Sequence, residues 1–296
     1  MILVTGATGL SGSFVVRELR QRGLAVRVLV RAASVSAAQA VEADLAIGDL
    51  ADPDSLRRAC DGVTGIVHTA CTFTDSVDIA AMEALLDGWR STMSTPFVYF
   101  SSLDVYGLSA APLISEDTPL DESYNDYAHG KVVSERLLTG TAHAQGRSDF
   151  SILRAPHIWA PHPTARKRLA ALAEGDSVLV PGADEAEWSR YRDAWIDARD
   201  LAWIVAECLA HPIGGPANVL ASHFVWHDLF AEIIHLTGGP CRLTSKPWAE
   251  MSAQEQASRR FYAQSWRYDA RRLQDQLGFR PCTWQQTVAE HFHEAL

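Results

Sequence analysis

Residues 2–12 read Ile-Leu-Val-Thr-Gly-Ala-Thr-Gly-Leu-Ser-Gly, an apolar run that enters three glycines spaced G-x-x-G-x-x-G. The run Ile2 to Thr5 predicts a β-strand, and the residues after the glycines predict a helix that ends near Arg22. A strand, a glycine turn and a helix in that order predict a cradle for the phosphates of a dinucleotide. Gly6 permits the tight turn, and Gly9 lets the pyrophosphate approach the backbone. A purely structural turn is the alternative, which the flanking strand and helix disfavour.

Working outward, short β-rich runs alternate with helical stretches through residue 155. The runs are Ile2 to Thr5, Ala25 to Val30, Leu45 to Ile47, Gly65 to Thr69, Phe97 to Ser101 and Phe150 to Arg154. This alternation predicts an α/β protein with a doubly wound parallel sheet of the Rossmann type, covered by helices on both faces. Asp52 followed by Pro53 predicts the start of a helix, and Gly23 predicts the end of the first one.

After residue 155 the alternation gives way to segments interrupted by proline and rich in tryptophan. A β-rich run at Ala217 to Leu220 predicts that the chain returns to the sheet there. No internal repeat or low-complexity tract indicates separately folding modules. The sequence thus predicts a dinucleotide-binding Rossmann domain and a smaller C-terminal substrate-binding lobe. The domain comprises residues 1–155 with 197–221 as its returning segment, and the lobe comprises 156–196 and 222–296.

Composition limits the class of partner. Of the 296 residues 47% are apolar, enough for a large core, and the formal net charge of −10 opposes binding to nucleic acid. The five cysteines are scattered and lack CxxC spacing, so we expect neither a disulfide framework nor a zinc knuckle, and a cytoplasmic location. Because Met1 leads directly into an apolar strand and Glu207 interrupts the apolar stretch Leu201 to Ala210, we expect no signal or membrane segment. The expected partner is a small-molecule substrate, and a homodimer is the assembly to consider.

Tyr127 and Lys131 are four residues apart in a helical stretch that reads Tyr-Ala-His-Gly-Lys. On an α-helix this separation puts both side chains on one face, about 6 Å apart along the axis. A phenol with a pKa of about 10 is a poor base at neutral pH, but an adjacent ammonium and a positive nicotinamide ring lower that pKa. We therefore predict an acid/base pair in which Lys131 also holds the ribose hydroxyls. Taken alone, the pair is also typical of a solvated helix face.

Residues 100–107 read Phe-Ser-Ser-Leu-Asp-Val-Tyr-Gly and place two hydroxyls at the end of a predicted strand, the edge where open α/β sheets bind ligands. Together with the motifs above, this run resembles the extended short-chain dehydrogenase/reductase superfamily, the NAD-dependent epimerase/dehydratase group. The resemblance covers nearly the whole chain. The motifs in the family's order are Thr5 to Gly12, Gly48 to Leu50, His68 to Cys71, Ser101 to Gly107, Tyr127 with Lys131, Leu153 to Pro161, Asp197 to Ala202 and Leu277 to Pro281.

The resemblance implies roles residue by residue. Ser102 stands where the family places the hydroxyl that binds the substrate oxygen, with Ser101 as the alternative. The implied catalytic residues are Ser102, Tyr127 and Lys131. The implied cofactor-binding residues are Gly6, Thr8, Gly9, Leu10, Gly12, Arg31, Asp49, Leu50, Ala70, Lys131 and Pro156. Asp49 and Leu50 would touch the adenine, Ala70 would line the dinucleotide channel, and Pro156 would shape the turn beside the nicotinamide.

Two positions depart from the family's pattern. Trp159-Ala160 stands where the family often has Tyr-Gly, and this change would narrow the nicotinamide end of the site. Asp78 stands near a position where the family often has Asn, which puts a hydrogen bond typical of the family in doubt.

The end of the second strand indicates the cofactor. NAD-specific Rossmann proteins carry an Asp or Glu there, about 20 residues after the glycine turn, that binds the ribose 2′-OH. Here Val30 takes that place, and the next carboxylate is Glu42. Arg31 can stack on the adenine and pair with a 2′-phosphate through its planar guanidinium. We therefore predict NADP, with NAD as the alternative; a solvated Arg31 without a role is the competing explanation.

Three functions compete. We favour a reductase or dehydrogenase in which NADPH reduces a carbonyl carbon while Tyr127 protonates the oxygen held by Ser102. The alternative is a nucleotide-sugar epimerase with retained NAD, and less favoured is a non-catalytic dinucleotide sensor, which tends to lack the Tyr and Lys pair. A 4,6-dehydratase is disfavoured because Leu103 falls within its Thr-Asp-Glu run and cannot act as an acid.

The second lobe carries many aromatic residues, which favours a moderately apolar ketone, aldehyde or secondary alcohol over a sugar nucleotide. Most of these rings are expected in the core, with two or three lining a pocket. They are Trp159, Trp188, Tyr191, Trp195, Trp226, Phe261, Tyr262 and Trp266. His223 and His227 have the i, i+4 spacing of a zinc pair, but no acidic residue lies between them as in HExxH, so we expect no metal.

Overall fold

The computed structural model describes residues 1–35, 43–92, 94–279 and 283–293. The strands are β1 (Ile2–Thr5), β2 (Val26–Val30), β3 (Asp44–Ile47), β4 (Gly65–His68), β5 (Phe97–Ser102), β6 (Phe150–Ala155), β7 (His157–Trp159), β8 (Ser177–Pro181), β9 (Arg192–Asp197), β10 (Gly215–Asn218), β11 (Ser222–Val225) and β12 (Arg242–Lys246).

The α-helices are α1 (Leu10–Gln21), α2 (Pro53–Ala59), α3 (Asp75–Arg90), α4 (Asp126–Ala144), α5 (Pro163–Ala171), α6 (Glu185–Trp188), α7 (Ala198–Ala210), α8 (Trp226–Thr237), α9 (Ala253–Arg259), α10 (Arg271–Leu277) and α11 (Trp284–His293). Short 3₁₀ turns occupy Ala32–Ser34, Leu103–Tyr106, Trp248–Glu250 and Arg260–Ala263.

Seven strands form one parallel sheet in the order β3-β2-β1-β4-β5-β6-β10, which confirms the predicted doubly wound Rossmann fold. The six N-terminal strands lie within one residue of their predicted bounds. The returning strand β10 begins two residues before the predicted run, because the chain already pairs with β6 at Gly215. The strand order reverses between β1 and β4, and ligands of such sheets bind in the crevice at that switch point.

Successive strand residues point to opposite sides of the sheet. Because helices cover both sides, the residues on both faces are apolar. Val4 and its neighbours face α1 and α7, whereas Leu3 and its neighbours face α2, α3 and α4. Both residues are fully buried. A strand buried on both faces reads as a continuous apolar run, and this is the reason that 2–5 showed no polar alternation.

The later part of the chain adds a three-stranded sheet in the order β11-β9-β7 and a two-stranded sheet of β12 and β8. Strands β7 and β9 pair in parallel, and β9 pairs with β11 in antiparallel fashion. The division of the chain into a Rossmann domain and a substrate lobe stays a prediction. Across the described ranges, no helix combines the length and apolar character needed to span a bilayer. The motif at Leu277 to Pro281 runs beyond the described residues at position 280.

Candidate active site

A cleft of about 1240 Å³ opens along the carboxyl ends of the central strands. Its walls come from the residues that directly follow β1 to β6, together with α4, α5 and the aromatic residues of the second half. Every residue predicted to bind the cofactor or to take part in catalysis lines this one cleft, from Gly6 at one end to Tyr127 and Pro156 at the other. The parallel sheet brings them together because all its strands end at the same edge.

The glycine turn after β1 has little room for side chains. Gly6 has a φ of +73°, and a Cβ atom on it would lie 2.8 Å from the Ala70 amide nitrogen. A Cβ atom on Gly12 would lie 2.1 Å from the Gly6 carbonyl oxygen. Gly9 precedes α1, and no side chain caps that helix. The turn therefore presents an uncapped helix N-terminus to the cleft, an arrangement that can hold a pyrophosphate.

The adenosine end of the cleft is built from the ends of β2 and β3. Val30 is buried, whereas Arg31 is exposed and has no carboxylate partner among the described residues. Glu42, the next carboxylate in the sequence, lies outside the described residues. The Asp49 carboxylate accepts a hydrogen bond from the Ala51 amide at 2.9 Å, which shapes the loop beside the cleft. This end can therefore accommodate a 2′-phosphate beside a free guanidinium.

Ser102, Tyr127 and Lys131 meet at the other end of the cleft. Ser102 is the last residue of β5, and its hydroxyl lies beside the Tyr127 phenol. Asn125 caps α4 by accepting a hydrogen bond from the Ala128 amide at 2.7 Å, so Tyr127 lies in the first helical turn. Lys131 follows one turn later; its Nζ donates to the Phe100 carbonyl at 2.7 Å and lies 5.5 Å from the centroid of the Tyr127 ring.

Burial affects the protonation of Tyr127 and Lys131 in the protein alone. Burial raises the pKa of Tyr127 well above its ordinary value, and the nearby Ser102 hydroxyl offsets only part of that rise. The Lys131 ammonium is buried and donates a hydrogen bond to the Phe100 carbonyl. Burial lowers the pKa of Lys131. The protein alone therefore keeps Tyr127 protonated at neutral pH, ready to donate a proton to an acceptor near Ser102.

Ser101, the alternative to Ser102, is engaged elsewhere. Its hydroxyl donates to Glu135 Oε1 at 2.5 Å. Glu135 forms a buried ion pair with Arg154 at 2.7 Å, and Arg154 Nη1 donates to the Tyr106 hydroxyl at 2.7 Å. Ser102, rather than Ser101, is therefore the hydroxyl beside Tyr127.

The two residues that depart from the family's pattern, Asp78 and Trp159, both make contacts within the protein. The Asp78 carboxylate accepts hydrogen bonds from the Thr72 amide at 2.8 Å and from Cys71 Sγ at 3.1 Å, so it supports the turn after β4. Trp159 is buried and stacks on Trp195 with ring centroids 5.3 Å apart, while also lining the cleft.

Three further polar residues of the cleft escaped the sequence reasoning. His157 Nε2 lies 3.0 Å from Asp193 Oδ2. Burial opposes the charged imidazole, but Asp193 outweighs it and raises the pKa of His157. Burial also raises the pKa of Asp104. Asp104 lies two residues after Ser102 and His157 directly follows Pro156 in the quoted motifs, which is a signal that could have found them. No local pattern marks Asp193 on the distant strand β9.

The aromatic residues of the second half contribute more to the cleft than expected. Five of the eight named rings line it, rather than two or three. They are Trp159, Trp226, Phe261, Tyr262 and Trp266. Most are also largely buried, because the cleft cuts into the aromatic cluster rather than lying beside it.

The histidine pair considered for zinc is held by other contacts. His223 lies on β11 and accepts a hydrogen bond from the Tyr268 amide at 2.9 Å, whereas His227 lies on α8 and stacks on Trp188 at 3.9 Å. Within the described residues, no group of three or more His, Cys, Asp or Glu side chains is arranged to hold a metal.

Comparison with known proteins adds a family and a set of relatives. The model of the NAD dependent epimerase/dehydratase family matches residues 2–220. The chain is 32% identical over 179 residues to D-erythronate dehydrogenase from Cupriavidus necator, covering 53% of this chain and 55% of that protein. It is 31% identical over 204 residues to 3 beta-hydroxysteroid dehydrogenase/Delta 5-->4-isomerase from Mycobacterium tuberculosis, covering 62% and 55%. The chain thus spans about half the length of these curated relatives.

The fold is also found in solved structures. The UDP-glucose 4-epimerase of Thermus thermophilus, solved in complex with NAD, superposes with a TM-score of 0.75 and 19% identity, covering 100% of this chain and 99% of that one. At this identity the likeness is one of fold.

Proposed function

The chain belongs to the NAD dependent epimerase/dehydratase family, as its motifs predicted, and from that premise we propose that it is an NADP-dependent reductase or dehydrogenase of a small carbonyl or secondary alcohol. The observation that carries this proposal is the adjacent pair of Ser102 and Tyr127, with Lys131 beside it, in the same cleft as the uncapped glycine turn. When bound, the cofactor supplies the hydride.

Each side chain has a role in the reducing direction. Ser102 donates a hydrogen bond to the carbonyl oxygen and fixes its position. Tyr127, kept protonated by burial, transfers its proton to that oxygen as negative charge develops on it. The nearby ammonium of Lys131 stabilises the resulting phenolate and holds the ribose hydroxyls. In the oxidising direction the same phenolate accepts the proton from the alcohol.

The proposed preference for NADP rests on the end of β2. Val30 presents no carboxylate to a 2′-phosphate, and the exposed Arg31 lines the cleft next to it. A guanidinium is permanently charged and binds phosphate through two parallel hydrogen bonds. NAD is the alternative cofactor.

The proposed substrate is a moderately apolar ketone, aldehyde or secondary alcohol. Its support is the aromatic and aliphatic lining of the cleft beyond Tyr127, which includes Ile158, Leu169, Leu229 and the five rings named above. Pockets for small molecules use such a lining with a few polar groups that fix orientation. Of the two relatives, the mycobacterial one is named for a hydroxysteroid and the Cupriavidus one for D-erythronate.

Replacement of Tyr127 tests the proposal. We expect Tyr127→Phe to preserve folding and the dissociation constant for NADPH but to lower kcat by roughly 10²-fold or more, since it removes the proton donor. The control is Tyr124→Phe, just before α4 and outside the cleft lining, which is expected to leave kcat unchanged. Lys131→Met, in contrast, is expected to weaken NADPH binding as well.

Unchanged turnover of Tyr127→Phe would remove Tyr127 from the mechanism. NAD that stays with the purified protein, together with interconversion of a nucleotide sugar, would replace the proposal by the epimerase function.

A further inference from the structure

Phe73 has an uncommon backbone conformation for a bulky residue. It follows β4 at the edge of the cleft, with a φ of +61°. Left-handed backbone is adopted readily by Gly and tolerated by Asn, but an aromatic residue there is a genuine outlier. Such strain persists only where the surroundings impose it, and it concentrates at functional sites.

The surroundings of Phe73 do impose this conformation. Asp78, on α3, accepts hydrogen bonds from Cys71 Sγ and from both the amide and the hydroxyl of Thr72. The Phe73 amide in turn donates to Cys71 Sγ at 3.4 Å. The turn is therefore held by Asp78 of α3 and by the contact between the Phe73 amide and Cys71 Sγ. The direction of the Phe73 side chain is set by this turn rather than by packing into the core.

The Phe73 ring lies against the proposed proton donor. It stacks on the Tyr127 ring with centroids 5.3 Å apart and planes inclined by 30°. Even so, Phe73 is 67% exposed, the largest fraction among the large apolar residues that are exposed in the described part of the chain. Both rings line the cleft. One aromatic face is thus left uncovered beside the reacting phenol, although apolar surface is more stable when it is covered.

Geometry determines what can cover this face. A carbonyl oxygen that accepts the proton of Tyr127 lies within hydrogen-bond distance of the phenol. One of the two substituents on that carbonyl carbon can then reach the Phe73 ring, because the two rings are stacked. An aromatic face makes its largest contact with another flat ring in an offset or tilted arrangement.

Resting on the proposed function, we propose that Phe73 determines substrate specificity by contacting a flat, apolar ring attached to the reacting carbonyl carbon. The substrate class is an aryl aldehyde or ketone, or an equivalent unsaturated cyclic carbonyl compound. The strained turn places the Phe73 ring where this substituent must lie, so the chain favours ring-bearing substrates over small aliphatic ones.

The test compares two aldehydes, benzaldehyde and acetaldehyde, reduced with NADPH by the wild type and by variants at position 73. Phe73→Asn keeps a residue that tolerates the left-handed backbone and removes the ring; Phe73→Tyr keeps the ring. The control Leu113→Ala removes another exposed apolar side chain, 45% exposed, that does not line the cleft.

We expect Phe73→Asn to lower kcat/KM for benzaldehyde by about 10-fold or more, mainly through a higher KM, which is the scale of a lost apolar contact. The kcat/KM for acetaldehyde should stay at the wild-type value. Phe73→Tyr and Leu113→Ala are expected to retain wild-type selectivity. The circular dichroism spectrum and the thermal midpoint of Phe73→Asn should match those of the wild type, since the turn is kept.

Equal losses for both aldehydes, or a weaker NADPH affinity of Phe73→Asn, would overturn the assignment and make Phe73 a support for Tyr127 or for the cofactor. A wild type that reduces no carbonyl compound refutes the proposed function instead. In that case calorimetric titration of acetophenone into the NADPH-loaded protein still decides about Phe73: binding that is equal in the wild type and in Phe73→Asn contradicts its role.

Discussion

Arg31 is the residue on which the proposed NADP preference depends. It follows the buried β2, where parallel pairing with β1 and β3 holds the backbone, so the position of its Cα atom is set by the sheet. Its side chain is exposed at the cleft, and no carboxylate of the described part of the chain competes for it. A guanidinium in that setting is available to a phosphate at little cost in desolvation.

Removal of the Arg31 side chain tests this role. The wild type is expected to bind NADPH more tightly than NADH by about 1–3 kcal/mol, or roughly 5- to 150-fold. Arg31→Ala should lose most of that difference by weakening NADPH alone. The control Arg166→Ala removes an exposed arginine outside the cleft lining and should retain the difference. Equal dissociation constants of the wild type for the two cofactors, measured by fluorescence titration, would refute the assignment.

At the scale of elements, helix α4 carries Tyr127, Lys131 and Glu135 at intervals of four residues, so one side of the helix faces both the cleft and the sheet. Glu135 joins that helix to two strands: it accepts a hydrogen bond from Ser101 at the end of β5 and pairs with Arg154 on β6. Both charged side chains are almost fully buried. This pair therefore sets the position of the helix that presents Tyr127 relative to the strand that presents Ser102.

Loss of one partner of that ion pair should be costly, because it leaves an uncompensated buried charge. Glu135→Gln preserves the shape and should lower the free energy of unfolding by about 3–5 kcal/mol. Glu122→Gln removes an exposed partner of Arg136 and should change it by less than about 1 kcal/mol. Urea denaturation measures both.

A double variant, Glu135→Gln with Arg154→Met, should lose less than the sum of the two single variants, since it removes both charges. A single Glu135→Gln variant as stable as the exposed control would show that the pair does not hold α4 in place.

For the molecule as a whole, the stability of the fold should depend on pH through the buried His68 and the half-buried His223. Burial lowers the pKa of His68 to about 3 and that of His223 to about 4. In the unfolded chain both titrate at about 6.5, so below that pH the unfolded state binds protons that the folded state does not. The stability that these groups contribute is present above pH 6.5 and is lost as the pH falls. His157 has a raised pKa, so the stability that it contributes is present below pH 6.5 and is lost as the pH rises above that value.

We therefore expect the urea midpoint of the wild type to fall between pH 7 and pH 5, with each histidine contributing up to about 1.4 kcal/mol per pH unit. The double variant His68→Gln, His223→Gln should show a much flatter profile over this range, whatever its stability at pH 7. His143→Gln, an exposed control, should follow the wild type. A wild-type midpoint that is constant between pH 7 and pH 5 contradicts this account.

Much of this protein follows from rules that act over short stretches of the chain. The strand and helix pattern predicted the parallel sheet, and the glycine spacing predicted the turn at Gly6, because turn geometry and strand periodicity depend on residues close together in the chain. Tyr127 and Lys131 were found for the same reason, since a separation of four already places two side chains on one face of a helix. All the predicted site residues line one cleft, although their roles in cofactor binding and catalysis stay predictions.

Features that depend on burial and on distance through space follow only from the folded chain. Only the folded chain pairs His157 with Asp193, 36 residues away, directs Ser101 to Glu135 while Ser102 meets Tyr127, and brings Phe73 onto the Tyr127 ring. The sequence shows the lysine one turn from Tyr127, but it does not show the burial that raises the pKa of Tyr127 and lowers that of Lys131 in the protein alone. Desolvation depends on which elements cover a group, and that is determined by the order of the strands and the packing of the helices rather than by any local spacing.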